Sequence, residues 1–181
     1  KKIYHLNIGQ PDVETPEVFM DAIKAFKKKV IAYEESGGNN DLQESVSAYY
    51  KTYGMNYDKK DIIVTNGGSE AIIMSLLSIL NNGDEVLIPE PFYTNYNTFT
   101  KIANGKVVPI TTKAEDGYRY ADRELIESKI TPNTRAIVCI NPGNPTGAVL
   151  TMDDIKLIGD IAKKHDLWII ADEVYREFVY D

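Results

Sequence analysis

From about residue 60 onward, short apolar runs and helical spacing take turns along the chain. Apolar runs at 62–65, 85–88, 107–110, 136–140 and 167–170 read as strands, and helical patterns at 69–80, 93–103, 122–127 and 152–164 separate them. That alternation predicts βαβ units and a largely parallel sheet. The front of the chain is patterned differently. An alternating run at 3–8 ends in the turn cluster Gly9-Gln10-Pro11-Asp12. Thr15 then reads as a helix N-cap with Pro16 in the first helical position, and Val18, Phe19, Ala22, Ile23 and Phe26 form an apolar stripe. A polar loop running from Tyr33 through Gly37 and Gly38 opens a second helix with Leu42, Val46 and Tyr49 on one side. The segment before Lys60 is expected to form a separate layer or arm.

Composition narrows the classes. With 181 residues, 43% apolar and 26% charged, the sequence suits one domain or a large part of one. A net charge of -7 argues against a nucleic-acid groove, which needs clustered Lys and Arg. The basic triplet Lys27-Lys28-Lys29 is expected at a solvated helix end. The single cysteine, Cys139, lies in an apolar strand pattern and reads as core packing, so a reducing, cytoplasmic setting is expected. No apolar run approaches the roughly 20 residues of a membrane span. The start lacks both a signal-peptide core and an initiator Met, so a piece of something longer is expected. His5 and His165 stand far apart with no metal-ligand spacing, and no metal site is expected.

Candidate chemistry gathers where strands end. Asn141-Pro142-Gly143-Asn144-Pro145-Thr146-Gly147 follows the 136–140 run, and its prolines and glycines impose an irregular backbone. Such a loop holds a side chain like that of Asn144 over the crevice where ligands collect in open α/β sheets. A well-made turn is the alternative. Gly67-Gly68-Ser69-Glu70 opens a helix, whose unpaired first-turn N–H groups suit a phosphate. It matches neither the Walker pattern nor Gly-x-Gly-x-x-Gly, and a helix capped by Asn66 or Ser69 would look the same. Phe92, Tyr93 and Tyr96 follow another strand, where a ring stacks on a flat heterocycle or simply packs. Asp172 ends the last apolar strand, with Tyr175 close behind. A carboxylate there needs a partner such as an arginine or a protonated ring nitrogen.

In order, Asn7-Ile8-Gly9-Gln10-Pro11-Asp12, Gly67-Gly68-Ser69-Glu70-Ala71, Asn144-Pro145-Thr146-Gly147 and Ala171-Asp172-Glu173-Val174-Tyr175 resemble the class I/II aminotransferases of pyridoxal-phosphate fold type I, the aspartate aminotransferase-like group. The resemblance runs along nearly the whole chain. It implies a three-layer α/β/α fold with a mostly parallel sheet, incomplete at the C-terminus. Residues 1–40 would be an N-terminal arm and substrate-side segment, and residues 41–181 part of the cofactor-binding large domain. The implied cofactor is pyridoxal 5'-phosphate, the implied assembly a homodimer, and the implied reaction amino transfer between an α-amino acid and a 2-oxo acid. No nucleic-acid or membrane partner is implied.

The family's roles map onto matching positions. Asp172 would pair with the protonated pyridine nitrogen, and Tyr175 and Asn144 would hydrogen-bond the ring's 3-hydroxyl oxygen. Tyr93 would stack on the ring. Gly68, Ser69 and the N–H of Glu70 would hold the phosphate, and Tyr33 would reach a phosphate in the neighbouring subunit. Gly9 and Asn144 would line the substrate, and Asp172 and Tyr175 are the catalytic candidates. The family's covalent lysine, in a Ser-x-Ser-Lys-like segment, and its substrate-binding arginines come after the region matched here. No lysine present has that context, so this stretch is expected to be inactive alone. A C–S β-lyase of the same fold and a non-catalytic module are the alternatives. The family's strand order sets 167–170 beside 136–140, then 85–88, then 107–110, with 62–65 kept apart by two later strands.

Overall fold

The computed structural model describes residues 2, 3, 9, 11 and 13–179. Most of the run expected at 3–8 lies outside the described residues, as do Gln10 and Asp12 of the turn cluster. Two compact units, Lys1–Ile62 and Ile63–Asp181, divide the chain.

In the first unit, α1 (Glu17–Ala25) begins one residue later than its sequence suggests. Pro16 is the N-cap, with no side chain capping the first turn. The apolar stripe of α1 is exposed, including Val18, Phe19 and Ile23. Lys27, Lys28 and Lys29 lie beyond the helix. Helix α2 (Asn40–Lys51) starts where Asn39 Oδ1 accepts the N–H of Leu42 at 3.1 Å. Its Gln43 donates to the carbonyls of Gly37 at 3.0 Å and Ile62 at 2.7 Å, tying the glycine loop to the end of the unit.

The second unit is built on a parallel sheet of β1 (Glu85–Glu90), β2 (Lys106–Thr111), β3 (Thr134–Ile140) and β4 (Trp168–Asp172), in the order β2-β1-β3-β4. This is the order anticipated for these four strands. Strand side chains alternate between two cores. Val86, Ile88, Ala136, Val138 and Ile140 join Leu76 and Phe99 from α3 (Gly68–Ile79) and α4 (Asn95–Ile102). On the opposite face Leu87, Ile110 and Ile137 meet Ile126 of α5 (Arg123–Glu127) and Ile158 and Ile161 of α6 (Met152–Lys164). Helices on both faces of the sheet make the expected three layers. Helix α6 occupies its predicted span because Thr151 and Asp154 form a reciprocal capping box. Cys139 packs in the second core, where burial pushes its thiol up to about 11. Among the described residues no helix is long and apolar enough to cross a membrane.

Residues 62–65 form no strand. The segment carries strand-like side chains, but no described strand pairs with its backbone, and a ladder needs at least one partner strand. It does not pair with β4. An open groove of about 480 Å³ separates them, lined by Ile63, Thr65 and Met74 on one side and Trp168, Ile169 and Ala171 on the other. The outer edge of β4 has no strand beside it among the described residues, and Trp168 and Ile169 are exposed there.

Candidate active site

Parallel strands deliver their carboxyl ends to one side of a sheet, and the register of β3 with β4 sets Ile140 opposite Asp172. The chain leaving β3 stays attached to that point, because the N–H of Asn141 donates to the Asp172 carbonyl at 3.0 Å. The loop then folds on itself. Gly143 N–H bonds the Ala148 carbonyl and Gly147 N–H the Gly143 carbonyl, each at 2.8 Å, while Asn141 Oδ1 accepts from Leu150 N–H at 2.9 Å. The peptide bonds before Pro142 and Pro145 are cis. A Cβ at Gly143 would lie 2.7 Å from Thr146 Oγ1, so a larger residue there would displace that side chain. Within this self-bonded loop, Asn144 is half-buried and lines a small cavity with Pro91, Tyr118 and Tyr120. Its side chain makes no hydrogen bond to a described residue.

The half-buried Asp172 carboxylate accepts two hydrogen bonds, from Tyr96 Oη at 2.7 Å and from the N–H of Val174 at 3.2 Å. Sequence reasoning placed Tyr96 among the strand-end aromatics but missed its pairing with Asp172. Tyr96 is fully buried on α4 within the first core. Burial, then the hydrogen bond to Asp172 and that residue's negative charge, push its phenol far above the ordinary range, so it stays a donor. The signal lay in two unmatched groups: a carboxylate ending an apolar strand and a hydroxyl on the apolar side of a helix each needed a partner.

Tyr93 lies in the turn before α4, which starts two residues later than expected. The Tyr96 N–H bonds the Tyr93 carbonyl at 3.0 Å, and the Tyr93 hydroxyl accepts from Asn95 Nδ2 at 2.6 Å. Tyr175 stands in the turn after β4, partly exposed, its ring edge-on to Phe178 at 6.4 Å.

Neither Asn66 nor Ser69 caps α3. The N-cap is Gly67, at φ 81°, a backbone conformation that suits glycine. The Glu70 carboxylate instead accepts the N–H of Asn66. The first-turn N–H groups of Gly68, Ser69 and Glu70 have no acceptor among the described residues, and these residues are exposed with open space in front of Gly68. Gly9 and Tyr33 belong to the first unit, where both are exposed and Gly9 has open space where a side chain would be.

A strand-end carboxylate, a rigid loop presenting an amide and an uncapped helix start coincide with an independent finding. The family profile described as aminotransferase class I and II matches residues 1–181. The chain belongs to this family. It is 41% identical to the aromatic-amino-acid aminotransferase 2 of Thermococcus litoralis over 99% of its own length and 46% of the relative's. It is 38% identical to an aspartate aminotransferase of Pyrococcus horikoshii over 99% and 46%. Among solved structures, an aromatic aminotransferase from Pyrococcus horikoshii superposes with a TM-score of 0.91 at 38% identity, covering 96% of this chain and 47% of that one. An aspartate aminotransferase double mutant from Thermus thermophilus gives 0.90 at 33%, over 97% and 46%. The chain therefore spans about half the length of the relatives it matches.

Proposed function

We propose that the whole protein is a pyridoxal-phosphate-dependent aminotransferase, moving an amino group between an α-amino acid and a 2-oxo acid. Asp172 carries this reading. It is a strand-end carboxylate, anchored from behind by a hydroxyl that does not ionise and bonded by its backbone to the loop presenting Asn144.

The residues present fit the cofactor. The N–H groups of Gly68, Ser69 and Glu70, without acceptors among the described residues and with open space at Gly68, suit a phosphate, and Asp172 suits a cationic ring nitrogen. When bound, the cofactor supplies an electron sink for bonds at the substrate's α-carbon. Asp172 would keep the ring nitrogen protonated by charge pairing, and its two anchoring hydrogen bonds hold the carboxylate still while it does so. Asn144 and Tyr175 would donate hydrogen bonds to the ring's 3-hydroxyl oxygen, the first from a loop too constrained to follow a moving ligand. Tyr93 would cover one ring face, Gly9 and Asn144 would border the substrate, and Tyr33 would act across a homodimer. In that assembly residues 1–40 serve as arm and substrate-side segment, and 41–181 as part of the cofactor-binding domain. A half-buried, free Cys139 in a family of this chemistry fits a cytoplasmic enzyme.

The relatives are named for aromatic amino acids, aspartate and alanine, so family membership does not select a side chain. Titration of the whole protein with pyridoxal 5'-phosphate, followed by assays pairing each of these amino acids with a 2-oxo acid, tests the reading. Saturable binding with formation of the new amino acid supports it. Pyruvate and thiol from a sulfur amino acid, without amino transfer, would replace it with the lyase reading. Absence of binding would leave the non-catalytic one.

A further inference from the structure

We propose that Tyr96 is the positioning residue for Asp172, its hydroxyl fixing the carboxylate through Oδ2 and so setting how firmly Asp172 retains the proton of a bound pyridine ring. The inference rests on the functional reading above and deepens it, giving the hydroxyl that anchors Asp172 an effect on the ring proton.

Geometry and surroundings support it. The hydrogen bond is 2.7 Å long and joins α4 to the end of β4, elements 76 positions apart in the chain at these residues. Tyr96 has no solvent exposure, so no water competes for its hydroxyl. Tyr96 shares one buried cluster with the apolar residues Leu76, Val86, Ile88, Val138 and Ile140 of α3, β1 and β3, and Phe99 meets its ring edge-on at 6.2 Å. The negative charge of Asp172 acts on its phenol. Among the described residues the hydroxyl has a single partner, and the remaining carboxylate oxygen accepts from the Val174 amide alone, at 3.2 Å. Without Tyr96 that longer contact alone would orient the group.

The test is Tyr96→Phe in the whole protein, which deletes one oxygen from a site already shaped for a ring. The cofactor labelled with ¹⁵N in its ring is bound, and the pH midpoint at which the nitrogen loses its proton is read by NMR. A hydrogen bond to a charged group is worth enough for about a tenfold effect. The midpoint should fall by about one pH unit, with kcat down about tenfold and KM within about twofold. In the Asp172→Asn background the same substitution should do nothing further. If the wild-type protein binds no cofactor, the functional reading fails and this inference with it. A wild-type protein that binds and titrates while Tyr96→Phe leaves the midpoint unchanged overturns the inference alone. Should Tyr96→Phe not fold, cofactor-free protein carrying tyrosine ¹³C-labelled at the hydroxyl-bearing carbon decides. The buried Tyr96 resonance should move on Asp172→Asn, and an unmoved resonance refutes the coupling.

Discussion

Replacing Asp154 by Ala removes the residue that ties the start of α6 to the preceding loop. Its buried carboxylate accepts from Thr151 N–H at 2.9 Å, Thr151 Oγ1 at 2.7 Å and Arg119 Nη2 at 2.8 Å. Loss of a reciprocal cap costs about 1 kcal/mol. The Arg119 pair adds about 0.5 kcal/mol, because that side chain is 67% exposed and its charge is screened. The sum is about 1.5 kcal/mol. Asp154→Asn, which keeps an acceptor oxygen but loses the charge, should cost about half as much. The pH dependence has a fixed sign. Burial by itself would raise the Asp154 carboxyl, but hydrogen bonds from Thr151 and the Arg119 charge outweigh it and leave it below the ordinary value. A depressed carboxyl stabilises the fold above its unfolded pKa of about 3.9, and that contribution is lost as pH falls toward the folded value. Urea unfolding of the cofactor-free whole protein by circular dichroism should show a constant gap between wild type and Asp154→Ala from about pH 5 upward. Below about pH 4 the gap should narrow. A difference under about 0.5 kcal/mol at neutral pH, or one that does not narrow in acid, refutes the reasoning.

Two further substitutions address the site. Asp172→Asn should leave pyridoxal 5'-phosphate bound but lower turnover by orders of magnitude, since a neutral amide does not balance a pyridinium; near-normal turnover would remove Asp172 from its role. Glu70→Pro deletes one first-turn N–H of α3 without breaking a helix at that position. Against Glu70→Ala, which keeps the N–H while losing the same carboxylate, it should weaken cofactor binding about tenfold or more by equilibrium titration. Equal affinities would mean that the helix start does not hold the phosphate.

The second unit was more legible in the sequence than the first, for a physical reason. Its strands pack on both faces and its helices carry their own start signals, as Thr151 and Asp154 do for α6, so local pattern and tertiary environment agree. The segment at 62–65 shows where pattern falls short. Its side chains suit a strand, but strand character is completed by a neighbour's backbone, and none is present beside it among the described residues. At the start of α3, Asn66 and Ser69 have capping side chains, but Gly67 occupies the N-cap and Glu70 bonds back to the Asn66 amide. Composition rules see which residues can cap, not which one the backbone presents. The placement of Asp172 and Asn144 at strand ends was legible because the apolar strand runs before them stop there in the sequence. The pairing of Tyr96 with Asp172 was not, because its partner lies on the last strand and no local pattern links a helix position to a residue so far along the chain.

Tracing the amino nitrogen tests the central claim most directly. The whole protein, loaded with pyridoxal 5'-phosphate, is mixed with ¹⁵N-labelled aspartate, tyrosine or alanine in stoichiometric amount. After the freed 2-oxo acid is removed, a different 2-oxo acid is added. The account predicts one equivalent of 2-oxo acid in the first stage and ¹⁵N in the new amino acid after the second, with loss of both in Asp172→Asn. Release of the label as ammonia, or an amino acid returned unchanged in every case, would contradict it.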